Sequence, residues 1–81
     1  MTPEVAARLR KRIVGLLRRR EQMSGGEIHA LMPGCSEPMV LIAIGQLWGF
    51  GQVECVGGYD NKTPAASRIW RAKLRLVSVS A

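Results

Sequence analysis

The sequence predicts a single α+β domain, mainly helical, in which three helices are followed by a C-terminal β-hairpin. Three observations carry that expectation. Apolar residues recur at helical spacing through the first twenty positions. Two short apolar stretches then flank a Pro-Gly turn, and beyond Gly51 the period drops to two. At 81 residues the chain is one domain, 1–81, with enough core to fold without disulfides.

Thr2-Pro3-Glu4 opens the first helix. Thr2 suits the N-cap, Pro3 the first helical position where its missing N–H is harmless, and Glu4 the positive end of the dipole. At about 100° per residue, Val5, Ala6, Leu9, Ile13, Leu16 and Leu17 fall on one arc, with Arg8, Lys11, Arg12, Arg18 and Arg19 opposite. The helix ends near Arg19 or Arg20. Gln22–Ser24 has room only for a connector or one bridge of strand. Ser24-Gly25-Gly26-Glu27 reads as a capping start to a second helix with the stripe Ile28, Leu31, Met32, which Pro33-Gly34 stops. A third helix enters at Ser36-Glu37-Pro38 and runs to about Trp48. Two short helices around a glycine-containing turn form a helix-turn-helix unit. Val53 and Cys55 then alternate with Gln52 and Glu54, Gly57–Pro64 is a polar loop, and Ser67–Leu76 alternates again; residues 78–81 read as a frayed tail. The expected core is Val5, Leu9, Ile13, Leu16, Ile28, Leu31, Val40, Ile44, Leu47, Val53 and Trp70.

The net charge is +6, and its placement matters more than its sum. Seven basic residues lie within Arg8–Arg20 and five within Lys62–Arg75, while Glu21–Asn61 contains none. The middle of the chain is therefore acidic.

The order of helix, short bridge, helix-turn-helix and hairpin resembles that of the winged helix-turn-helix family, over Thr2 to Leu76. The likeness rests on Ser24-Gly25-Gly26-Glu27-Ile28, on the spacing Val40, Ile44, Leu47, and on Gly51-Gln52-Val53 leading into the wing. It rests also on Arg68-Ile69-Trp70-Arg71 in the return strand. In size and arginine-rich start the chain looks like a small phage, plasmid or prophage regulator. The resemblance implies a third helix in the major groove whose outward side chains read base edges. Those positions would be Glu37, Met39, Ile42, Ala43 and Gln46, and among them only Gln46 can pair bidentately with a base. The expected partner is therefore duplex DNA, held with weak specificity and mostly through phosphates. The expected contacts are Arg8, Arg12, Ser36, Gln46, Lys62 and Arg68.

The alternative is a protein-interaction module on the same fold that never reads DNA. Met39 and Ile42, three apart on a helix, would form its docking patch for a partner or for a second copy in a homodimer. Catalysis finds no support: no serine or cysteine has a credible base and orienting acid, so the chain is expected not to be an enzyme. His29 stands alone, the two cysteines lack the spacing of a zinc site, and no phosphate loop is present, so no metal or cofactor is expected. With neither a signal peptide nor an apolar run of about 18 residues, the expectation is a cytoplasmic protein with Cys35 and Cys55 reduced.

Overall fold

A computed structural model of the protein describes residues 2–58, 60 and 62–73. The expected strand positions Leu74–Leu76 and the tail 78–81 lie outside them. The domain is α+β: three helices and a three-stranded antiparallel sheet in the order α1 (Pro3–Arg20), β1 (Met23–Ser24), α2 (Gly25–Ala30), α3 (Glu37–Gly49), β2 (Val53–Gly57) and β3 (Ile69–Ala72). A 3-10 turn, Ala65–Ser67, precedes β3.

Local chemistry sets the boundaries. The Thr2 hydroxyl accepts from the Val5 N–H at 3.2 Å, and arginines 18, 19 and 20 fill the last turn of α1, where the helix dipole favours cations. Ser24 and Glu27 form a reciprocal capping box at α2: the Glu27 N–H donates to Ser24 Oγ at 3.1 Å and the Ser24 N–H to Glu27 Oε1 at 2.8 Å. α3 ends where Gly51, at φ +77°, turns the chain toward β2 in a conformation that side chains with a Cβ rarely adopt.

The sheet order is β1-β3-β2. Met23 and Cys55 both pair with Trp70 from opposite sides, and Val53 pairs with Ala72, so alternate residues of β3 face the helices. A bulge between Cys55 and Gly57 shifts the register at the C-terminal end of β2. Glu54 faces Arg71 across the strands and accepts its guanidinium, Nε at 3.0 Å.

The core comprises Leu9, Ile13 and Leu17 of α1, Met23, Ile28, Met32, then Val40, Ala43, Ile44 and Leu47 of α3, with Val53, Trp70 and Ala72 of the sheet. Eight of the eleven expected core residues are buried. Three depart. Val5 lies on the first turn of α1 and is 43 % exposed; Leu31, the C-cap of α2, is 38 % exposed because Met32 is the residue that turns into the core there; Leu16 is half-buried at the edge of the α1 stripe. Leu17 takes the place given to Leu16, so the buried face of α1 is centred on Leu9, Ile13 and Leu17, at i, i+4 and i+8. Ala43, expected to face outward, is buried, and Met39 packs against the core.

Candidate nucleic-acid interface

α1 gathers most of the charge. Its stripe is buried, so its cations flank and cap the exposed surface of the domain. Arg8, Lys11, Arg12 and Arg19 line one wall of a groove of about 450 Å³, closed below by Leu16 and on the α2 side by Leu31 and Met32. Arg19 lies back along the helix, its Nε donating to the Gly15 carbonyl at 3.3 Å. On the opposite flank of α1, Arg10, Lys11 and Arg18 line a second depression with Gln52. Lys73 stands nearby, beside Arg18, Phe50 and Gln52. Among the described residues the one ion pair is Arg71–Glu54, so none of the α1 cations is neutralised by a carboxylate.

The outward face of α3 offers little to a base. With Val40, Ile44 and Leu47 buried, a repeat of about 3.6 residues places Ile42, Gly45 and Gly49 farthest from the core. Ile42 is 55 % exposed, and at both glycines the space where a Cβ would stand is open. Gln46, the expected base reader, turns toward α1: Arg10 donates from Nη1 to its Oε1 at 2.7 Å, while the same guanidinium lies 5.6 Å from the Phe50 ring centre. The Ser36 hydroxyl serves as the α3 cap, accepting from the Met39 N–H at 3.4 Å.

Beyond β2, Asp60 holds the backbone at Lys62 and Thr63. One carboxylate oxygen accepts from the Thr63 hydroxyl at 2.6 Å, from the Thr63 N–H at 2.7 Å and from the Lys62 N–H at 3.1 Å. The Thr63 hydroxyl above all, followed by its backbone N–H, holds the Asp60 carboxyl below its ordinary range, and the charge of Arg68 adds to this. The Lys62 side chain is exposed at this turn, whereas Arg68 is half-buried with an Nε that meets no hydrogen-bond partner among the described residues.

The six residues expected at a nucleic-acid surface thus fall into separate places. Arg8 and Arg12 share the α1–α2 groove, Lys62 and Arg68 border Asp60, Ser36 caps a helix, and Gln46 is held by Arg10. Lys11 and Arg19 belong with Arg8 and Arg12, as their shared arc on the helix already implies. The contact of Arg10 with Gln46 spans 36 positions and leaves no local signal. The interface patch shrinks to Ile42, because Met39 is half-buried against the core. His29 is half-buried with Nε2 3.0 Å from the Cys35 carbonyl, and both cysteines are free. Among the described residues no group of three or more His, Cys, Asp or Glu side chains could hold a metal ion, and no helix is long and apolar enough to cross a membrane. Compared with known proteins, the chain matches no family model, no curated protein and no solved structure.

Proposed function

We propose that this chain is a winged helix-turn-helix module that associates with duplex DNA through phosphates and leaves base sequence largely unread. The observation that carries the reading is the run of α1 cations, Arg8, Lys11, Arg12, Arg18, Arg19 and Arg20, all exposed and none paired with a carboxylate among the described residues. The order of three helices and hairpin strands supports the winged-helix assignment. The absence of hydrogen-bonding side chains from Ile42, Gly45 and Gly49 argues for phosphates over bases. The role is binding, regulatory in a small mobile-element factor, and it calls for no cofactor.

The test is a titration of generic duplex DNA followed by fluorescence anisotropy. With about four to six phosphate contacts, affinity falls roughly a hundredfold or more between about 50 and 200 mM salt. No binding at the lower salt, or tight sequence-selective binding indifferent to salt, overturns the reading. A second reading, a protein-docking module, is favoured by the exposure of Ile42 together with Trp48 and Phe50 at the C-terminal end of α3.

A further inference from the structure

We propose that the groove between α1 and the end of α2 receives an acidic, amphipathic peptide helix from a partner protein. The inference goes beyond DNA association and stands on a different feature, the apolar floor. A groove built for phosphates alone has no use for Leu31, which remains 38 % exposed beside the half-buried Leu16 and above the buried Met32. The wall above them carries Arg8, Lys11, Arg12 and Arg19, and among the described residues no carboxylate lines the groove. Apolar floor and cationic wall together specify a ligand with an apolar stripe and flanking carboxylates, the pattern of a helix laid in a groove.

The dimensions agree. From Arg8 to Arg19 the wall is twelve residues of helix, a span of about 16 Å, the length of three turns of a bound helix. Arg8 and Arg12 stand one turn apart on the same side, and the Arg19 side chain is already laid along the wall by its bond to the Gly15 carbonyl, which lowers the ordering cost of binding. Charge complementarity also selects the occupant. An acidic segment is attracted to this wall, whereas the basic Arg8–Arg20 stretch of a second copy is repelled by it.

The probe is a fluorescein-labelled, end-capped helix of about 14 residues built from glutamate, alanine and leucine, with the leucines on one face at i, i+4 spacing. Two controls accompany it: a scrambled peptide of equal composition and a poly-glutamate of equal length. Binding is read by anisotropy at about 0.15 M salt, with the intact chain and with Leu31→Gln and Arg8→Gln/Arg12→Gln. All the substituted side chains are exposed, and thermal melts monitor folding. The amphipathic helix binds at least about tenfold tighter than either control, and each variant loses about tenfold or more of that affinity. Leu31→Gln leaves the affinity for generic duplex DNA unchanged, whereas the double arginine variant lowers it. If scrambled and amphipathic peptides bind alike, or Leu31→Gln retains full peptide affinity, the groove is an electrostatic patch and the inference falls. Peptide binding with no duplex binding sinks the DNA reading and leaves the groove standing; duplex binding with no peptide binding does the reverse.

Discussion

Two glycine-to-alanine substitutions shift stability in opposite directions, for reasons visible around each backbone. Gly45 lies inside α3 on its exposed face, with nothing within 4 Å of an added Cβ. Alanine there keeps the same contacts and removes conformational freedom from the unfolded chain, a gain of about 0.5–1 kcal/mol. Gly25 opens α2 where the helix meets the 3-10 turn. An added Cβ would stand 2.9 Å from Leu41 Cδ2 and 3.3 Å from both the Ala65 carbonyl oxygen and Ala66 Cα. The leucine tip can swing aside, but the two backbone atoms move only if the turn is pushed off α2. That in turn strains the Gly25 N–H bond to the Arg68 carbonyl, 3.1 Å long. Overpacking of this kind costs about 1–3 kcal/mol. The variants therefore differ by roughly 1.5–4 kcal/mol, and each kcal/mol moves the melting temperature of a domain this size by about 4–8 °C. Thermal melts by circular dichroism, run at low and high protein concentration, measure both. A Gly25→Ala variant as stable as the parent refutes the close approach of α2 and the turn. A Gly45→Ala variant that loses stability only at high concentration refutes the assumption that α3 faces water there, and reveals a second copy seated on it.

Ile44→Ala removes a side chain 1 % exposed at the centre of α3 and costs about 2–5 kcal/mol, checked by the denaturant midpoint. Gln46→Ala leaves duplex affinity within about twofold and creates no change in sequence preference, since the amide is already held by Arg10; competition between unrelated duplexes checks this. Asp60 has a folded carboxyl pKa below the ordinary 3.8, so the contribution of its bonds to Lys62 and Thr63 is complete above that value and is lost as pH falls through the lower folded one. The amide resonances of Lys62 and Thr63, followed on acidification, hold until below pH 3.8 and then shift, and Asp60→Asn removes that transition.

Element identity was legible where a local signal existed. Thr2-Pro3, Ser24 with Glu27, and Ser36 with Pro38 mark three helix starts by chemistry confined to four residues, and all three caps form. The phase of α1 was nearly legible, because its apolar arc is bounded by arginines; the error was one position, Leu16 for Leu17. The phase of α3 was legible too: Val40, Ile44 and Leu47 are buried and Ile42 stands outside, as their spacing implies. The width of its covered arc was not, because the residues from Met39 through Trp48 are apolar on almost every side and tertiary contact alone buries Ala43 and half-buries Met39. The candidate site suffered from the same lack of local signal. That Arg8 and Arg12 share a wall follows from i, i+4 spacing. That Leu31 becomes the opposite lip depends on how α2 stops beside α1, a long-range outcome.

Sorting the cations by what they do inside the chain narrows the functional question. Arg71 is neutralised by Glu54, Arg68 faces the charge of Asp60, and Arg10 is occupied by Gln46 and Phe50. Arg18, Arg19 and Arg20 sit in the last turn of α1, where the partial negative charge of the helix end stabilises each by about 0.3–1 kcal/mol, reason enough for them to be basic. Arg8, Lys11 and Arg12 have no such account. They stand well before the favourable end of the helix dipole, make no hydrogen bond or ion pair among the described residues, and repel one another along the same side of α1. Three mutually repelling charges on one groove wall destabilise the helix slightly when the chain is alone. The destabilisation is relieved when an anion arrives, so the affinity of that anion is raised by the same amount. Replacing Arg8 and Arg12 by glutamine should accordingly steady the free protein a little while weakening whatever binds the groove, a combination that a purely structural role for these arginines does not produce.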